Sequence, residues 1–332
     1  MTKMLKIKKK KILFASVLFL FFAAGSWGAP AVVSAYEIVN VKTDLKNDFV
    51  LEPAKFEVSL DPGQSVSKDL TITNRMKETR RFKVEVEDFT GSKSGERAVV
   101  LMGEERGPYS LKDYIEPELR EFSLEPNQKM VMSVKINIPE DAQPGGLYGS
   151  VLISSIPTQK ETELAEQGAK SGAVIISRLG ALFFVRVNGD VVEKGSMKDF
   201  RVIPSKKVFF QNAPTGFEIL FQNKGSVHLN PYGVIKIKNI LGGVVDEIKV
   251  DPYFAMPDSL RYRQVKWGKR ILLGRYEATA LINRGYDDIV DEMSVSFWIL
   301  PWKLIVSIFT IILLIVLVGG FFFSKFEIKR KS

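Results

Sequence analysis

Lys129-Met-Val-Met-Ser-Val-Lys-Ile-Asn-Ile138 decides the fold class: Met130, Met132, Val134, Ile136 and Ile138 alternate with Lys129, Ser133, Lys135 and Asn137. A period of two places one set of side chains on a buried face and the other in water, which is a β-strand. The same alternation recurs outward from it. Phe56, Val58 and Leu60 precede an Asp61-Pro62-Gly63 turn, Leu70 and Ile72 alternate with Thr71 and Thr73, and Phe82, Val84 and Val86 alternate with Lys83, Glu85 and Glu87. Short strands bounded by turn residues predict an all-β protein built as antiparallel sandwiches. One short helix is expected where Ser110 can cap Leu111–Ile115 before Pro117. The polar stretch Pro157–Gly172 is expected as an exposed, mobile hairpin loop joining strand Leu147–Ile156 to strand Ala173–Val187.

The two ends are of another kind. Lys3, Lys6 and Lys8–Lys11 precede an apolar run from Ile12 to Ala24, and Val33-Ser34-Ala35 offers small residues before a cut at Tyr36. That is the secretory pattern, so residues 1–35 read as a signal peptide. Residues 304–323 carry no charge, about 30 Å of helix at ~1.5 Å per residue, enough to cross a bilayer. Lys325, Lys329, Arg330 and Lys331 follow, which puts the 324–332 tail in the cytoplasm and the bulk of the chain outside, on a single-pass type I anchor.

Charge and cysteine usage narrow the function. Of 47 Lys and Arg, six lie in 1–35 and five in 298–332, leaving 36 between them; of 38 acids, one lies in the ends, leaving 37. The outward segment is therefore nearly neutral at −1, and no nucleic-acid partner is expected. With no cysteine there is no disulfide framework, no thiol chemistry and no cysteine zinc site.

A weak repeat divides the outward segment. Leu70-Thr-Ile-Thr-Asn74-Arg75 and Ile219-Leu-Phe-Gln-Asn223-Lys224 each end a strand in Asn plus a basic residue. Each is followed by Gly-x-Tyr entering another strand, at Gly146-Leu147-Tyr148 and Gly274-Arg275-Tyr276. Two tandem Ig-like modules follow, roughly 42–190 and 196–297, the first with insertions at 91–117 and 157–172. The tyrosines suit the corner where an Ig-like strand F begins and the hydroxyl reaches backbone.

Several segments resemble the WxL-interacting proteins of bacterial cell surfaces: Phe56–Gln64, Leu70–Asn74, Ile138-Pro-Glu-Asp-Ala142, Pro144–Ser150 and Phe297-Trp-Ile-Leu-Pro-Trp-Lys303. The resemblance implies a peptidoglycan-binding Ig-like domain, a second Ig-like domain, and a C-terminal membrane helix with a basic tail. It implies an envelope-anchored binding protein for peptidoglycan or a partner surface protein; the two insertions depart from the family pattern.

Catalytic constellations are weak. His228 is the single histidine, which makes a three-His metal site impossible; near a turn it reads as structural. Glu85 and Glu87 share an outward face with Asp88 beside them, but exposed like charges are ordinarily solubilising. No cofactor is expected. The densest basic run is Arg261, Arg263, Lys266, Lys269 and Arg270, with Tyr262 and Trp267 interleaved. Arg261, Arg263, Trp267, Lys269 and Arg270 are therefore the candidate contacts for an anionic wall polymer, through charge-assisted hydrogen bonds and stacking. The competing expectation has Trp267 in the core and the charges solvated. The sequence reading is thus a non-enzymatic, membrane-anchored envelope protein binding cell-wall polymer or a surface protein. Its alternatives are an exported chaperone working by strand-edge complementation and a wall-glycan hydrolase with paired carboxylates.

Overall fold

Alternating apolar residues do fold as paired strands in a computed structural model that describes residues 36–166, 176–205, 207–268 and 272–325. The signal-peptide segment, the tail beyond 325, and Lys269 and Arg270 lie outside the described residues. The first half comprises β1 (Glu37–Asn40), β2 (Phe49–Glu52), β3 (Lys55–Leu60), β4 (Ser65–Asn74), β5 (Arg80–Thr90) and β6 (Val100–Leu101). It continues with β7 (Ile115–Pro117), β8 (Glu121–Leu124), β9 (Gln128–Asn137), β10 (Gly145–Ile156), α1 (Gln159–Glu166) and β11 (Arg178–Val187). One sheet runs β1-β9-β4-β2 with β7 also on β9; the other runs β3-β11-β10-β5-β6 with β8 also on β5. The register Leu70↔Met132 and Ile72↔Met130 stacks apolar side chains on one face, and Phe82, Val84, Val151, Ile153, Phe183 and Val185 close on them from the other sheet. Each such side chain, taken wholly from water, contributes about 1.5–3 kcal/mol.

The second half repeats the plan with β12 (Gly195–Ile203), β13 (Phe209–Phe210), β14 (Gly216–Asn223), β15 (Tyr232–Asn239), β16 (Val244–Val250), β17 (Ser259–Lys266), β18 (Gly274–Asn283) and β19 (Val290–Ile299). Its sheets are β12-β14-β17 and β13-β19-β18-β15-β16, around a separate core of Phe217, Ile219, Ile235, Ile237, Phe297 and Trp267 among others. In both halves an early strand changes sheets at a proline. Pro53 separates β2 from β3, which runs parallel to β11; Pro204 ends β12 before β13, which runs parallel to β19. Proline has no N–H, so the ladder of the first sheet stops there.

The paired asparagines make identical bonds. Asn74 Nδ2 donates to the carbonyls of Glu78 (3.1 Å) and Leu124 (2.9 Å), while its Oδ1 accepts the Met76 N–H at 2.9 Å. Asn223 Nδ2 donates to Val227 (2.8 Å) and Ala255 (2.9 Å), and its Oδ1 accepts the Gly225 N–H at 2.8 Å. Both side chains are fully buried. A primary amide alone carries two donors and an acceptor in one plane, which the turn after each of these strands needs. The neighbouring basic residues do not correspond: Arg75 grips Asp48 through two 2.7 Å bonds, whereas Lys224 contributes its backbone N–H to Lys194.

Two expectations are corrected. The helix after Ser110 is a single turn: Asp88 accepts the Leu111 and Lys112 N–H groups at its start (3.1 and 2.9 Å), but Ile115 is drawn into the ladder opposite Ile136, which ends it. The 157–172 stretch begins as a helix, α1, rather than a loop. Thr158 Oγ1 accepts the Glu161 N–H (3.4 Å) while a Glu161 carboxylate oxygen accepts the Thr158 N–H (2.8 Å), a Thr-x-x-Glu capping box that polarity alone concealed. Glu161 also binds Arg80 at 2.6 and 3.0 Å, and that bond first holds its carboxyl down at about 2. Beyond β19, α2 (Trp302–Lys325) contains a 21-residue apolar stretch, Trp302–Phe322, long enough to cross a membrane.

Replacing either asparagine by aspartate keeps its shape but removes both donors and leaves two buried carbonyls unpaired. We expect Asn74→Asp and Asn223→Asp each to cost about 1–3 kcal/mol per stranded group in urea unfolding. A loss within about 0.5 kcal/mol, the range of ordinary surface changes, would remove the amides from this role.

Candidate functional site: the cleft between the two sandwiches

The outer face of the β3-β11-β10-β5 sheet is not wholly solvated. Phe89 from β5, Tyr148 from β10 and Phe184 from β11 form a third apolar cluster there, with Met256 and Phe254 of the second sandwich packed against them. Rings meet edge-to-face at 5.0–5.7 Å, the arrangement their quadrupoles favour. Tyr148 is fully buried, and its Oη accepts the backbone N–H of His228 at 2.6 Å. Its proton lies within reach of His228 Nδ1, 3.3 Å away, which a neutral ring protonated at Nε2 offers as an acceptor. Gly146 makes room for this: a Cβ there would sit 1.9 Å from the Tyr148 hydroxyl. Tyr276, the corresponding residue of the second sandwich, instead donates to the Leu273 carbonyl three residues back at 3.0 Å. Both hydroxyls therefore reach backbone, but that of Tyr148 reaches it in the other sandwich.

A second clamp comes from the first insertion. The Leu260 and Tyr262 N–H groups of β17 donate to the Ser92 and Gly95 carbonyls, both at 3.1 Å, so the 91–95 loop covers that sheet edge. Lys93 Nζ bonds the Asp258 carbonyl at 2.7 Å and Tyr109 donates its hydroxyl to Asp258 Oδ2 at 2.8 Å. Burial, with Asp258 adding to it, pushes the Tyr109 phenol up to about 12. Asp88, fully buried, fixes this insertion by accepting the Gly107, Leu111 and Lys112 N–H groups.

Between these clamps and the free end of β3 lies a cavity of about 230 Å³, lined by Glu57, Ser59, Arg186, Glu193, His228 and Asn230 among others. Arg186 pairs with Glu193 at 2.9 Å, and Lys55 with Glu57 at 2.7 Å. Burial lowers the His228 imidazole to about 4, so at neutral pH it carries no charge and donates no second proton. Glu85 is tied to Lys83 (2.7 Å) and Arg178, and the Lys83 bond holds its carboxyl below the usual range. Glu87 also binds Arg178. A glycosidic general acid needs a raised carboxyl, and Glu85 offers the reverse. Among the described residues no three His, Asp or Glu side chains converge as a metal site would require.

The basic run does not form one exposed strip. Trp267 turns inward, 5% exposed, with its indole N–H on Asp246 at 3.0 Å and its ring against Phe217 and Phe297. Arg261 and Arg263 alternate with the outward Tyr262, so their guanidinium groups lie over the rings of Phe254 and Tyr253 at 5.9 and 5.6 Å. Each has a buried Nε that finds no hydrogen-bond partner among the described residues. Only the placement of Trp267 could be anticipated, from its position at the end of an alternating strand; the cleft combines β3, β11 and the turn at His228, which no local pattern links.

No protein-family model matches the chain, and no curated protein matches it. Among solved structures it is similar to the class 5 fimbriae chaperone CfaA, with 10% identity over 76% of this chain and 100% of that chain, at a TM-score of 0.37. It is similar to the CsuC–CsuE chaperone–tip subunit complex from the archaic Csu pili of Acinetobacter baumannii, with 8% identity over 74% and 97% of the two chains, at a TM-score of 0.36. The Salmonella enterica SafA pilin–SafB chaperone complex matches with 11% identity over 77% and 100%, also at 0.36. Scores of this size leave the function to be read from the groups of this chain.

Two outcomes follow for the interface. Tyr148→Phe strands a buried N–H and should cost about 1–3 kcal/mol, seen as loss of hydrogen-exchange protection at His228. Because the folded imidazole titrates below its unfolded value of about 6.5, the unfolded chain binds the extra proton first as pH falls. Stability should therefore be full above that value and decline toward about 4; His228→Gln should flatten this part of the pH profile, and an unchanged slope would place the titration elsewhere.

Proposed function

We propose that the chain is a non-enzymatic, membrane-anchored extracytoplasmic protein built from two tandem Ig-like sandwiches, which binds an extended segment of a partner protein along β3. One observation carries this reading: β3 has β11 on one side and, among the described residues, no strand on the other. In a parallel pair alternate residues bond the neighbouring strand. The Leu182 and Asn188 N–H groups donate to the carbonyls of Ala54 and Leu60, so the even-numbered residues of β3 face β11. The N–H and C=O groups of Lys55, Glu57 and Ser59 then point outward, a template for an added strand that would run beside the cavity. The Lys55–Glu57 ion pair guards this edge against unselective pairing and sets a charge pattern for a partner to match. Export and anchoring rest on the two hydrophobic ends and the basic tail. The resemblance to WxL-interacting proteins supports a bacterial cell-surface setting.

An anionic wall polymer is the second reading, favoured by the Nε groups of Arg261 and Arg263, buried without a hydrogen-bond partner among the described residues. Its mark would be binding that weakens as the screening length falls from ~10 Å at 0.1 M salt to ~3 Å at 1 M.

The test places a photo-cross-linking residue at Glu57, at Ser59, or at Glu247 on β16 as a control, in the full chain in its native envelope. Strand addition predicts one protein adduct from both β3 positions and none from the control. Glu57→Pro removes an N–H that the free fold leaves unused, so it should abolish the Ser59 adduct while the melting temperature stays close to the parent value. Adducts to glycan alone, or a Ser59 adduct unaffected by the proline, would remove the strand-edge reading.

A further inference from the structure

The end of the second sandwich from which α2 departs carries apolar side chains that a water-facing sheet end would not. Among described residues ahead of α2, Leu241 is 91% exposed, Ile240 70%, Phe209 64% and Leu273 62%, with Val244 at 60%. Strand register brings them to one level. Asn239 pairs with Tyr276, Tyr276 with Phe297, Gly274 with Ile299, and Phe210 with Ile299. The β15–β16 turn, the segment before β18 and the short β13 therefore all end where β19 ends. Only Leu300 and Pro301 separate β19 from α2, and the Leu300 N–H is itself tied to the Phe210 carbonyl at 2.8 Å. Two residues span at most about 7 Å. The turn at 240–243 lies two to three strands from β19, roughly 10–14 Å away at the usual strand spacing.

The turn is also prepared to leave water. Asn239 Oδ1 accepts the N–H groups of Leu241 (3.1 Å) and Gly243 (2.9 Å), and the Asn239 carbonyl accepts that of Gly242 at 2.9 Å. Gly242 supplies the positive φ of +81°. With these N–H groups bonded within the turn, the main cost of moving a turn into an apolar medium is reduced. Ile-Leu at a hairpin tip is also unlike the polar residues that solvated turns select. Exposed Lys207, Lys266 and Lys303 stand around this end, with Lys303 Nζ 5.9 Å from the exposed Trp302 ring, a pairing suited to the headgroup layer.

We propose that this apolar end, with Leu241 and Phe209 on opposite sides of β19 in the sheet, inserts into the outer interface of the bilayer that α2 spans. The second sandwich would then stand on the membrane at a fixed tilt rather than swing on its anchor. This rests on the reading of α2 as a membrane anchor, and its occupant is lipid rather than a second protein surface.

The chain has no cysteine, so single sites can be labelled in the full-length protein. Leu241→Cys, Phe209→Cys, Leu313→Cys in α2 and Asp287→Cys at the far end of β18–β19 would carry an environment-sensitive fluorophore. Each would be reconstituted in phosphatidylcholine–phosphatidylglycerol vesicles. The expected result is that labels at 241 and 209 shift to the blue and lose most of their emission to lipids spin-labelled near the headgroup. The label at 313 should respond to lipids spin-labelled deep in the chain, and that at 287 to neither. If 313 is quenched while 241 and 209 stay as in water, the insertion is wrong and the anchor stands. If those two are shielded but not quenched by lipid, a protein covers this end and the proposal fails. An unquenched 313 would overturn the anchor itself, and the insertion with it.

Discussion

The Tyr148 hydroxyl, taken out of water among Phe89, Phe184 and Met256, must have a partner, and it finds one in the backbone N–H of His228. A buried hydroxyl or amide left unpaired costs more than the bond contributes, so this contact works chiefly by making every other arrangement of the two sandwiches unfavourable. The burial that raises the phenol also lowers the imidazole, and both stay neutral, which lets them share one dry site. The cavity beside β3 exists because this contact holds the sandwiches a fixed distance apart.

The two sandwiches are built with the same devices: an early strand divided between sheets, a last strand with a parallel partner, and a buried amide closing the turn after the second long strand. They differ in what was added. The first carries the 91–117 insertion, which Asp88 pins from within and which covers the β17 edge of the second. An insertion that departs from the repeat thus serves to join its two copies, and the edge left open is on β3 instead.

These constraints orient the molecule. Clamps at Tyr148 and at the 91–95 loop make the first sandwich follow the second, and the short path from Ile299 to Trp302 makes the second follow α2. In the proposed arrangement, β3 and its cleft are displayed at a set height above the lipid. The physical elements are ordinary: unpaired strand groups seek partners, and exposed apolar turns seek a medium without water.

Features that depend on near neighbours along the chain are legible in the amino-acid order. Period-two alternation at 130–138 and 56–60 places strands, twenty uncharged residues make a membrane-length helix, and the Asn-to-Tyr repeat signals two related halves, because each of these is a local pattern with a local physical cause. Even there, polarity hid the α1 capping box at Thr158–Glu161, and Ser110 promised a helix that stops after one turn because Ile115 pairs with Ile136 in a sheet. Packing between distant strands sets where the hydroxyls of Tyr148 and Tyr276 go, although Gly-x-Tyr introduces both. It turned Arg261 and Arg263 onto aromatic rings instead of into water, and it gathered Phe209, Leu241 and Leu273 around the root of α2. Those outcomes are set by which surfaces meet after the strands have paired, and burial against a distant partner leaves no periodic trace in the chain.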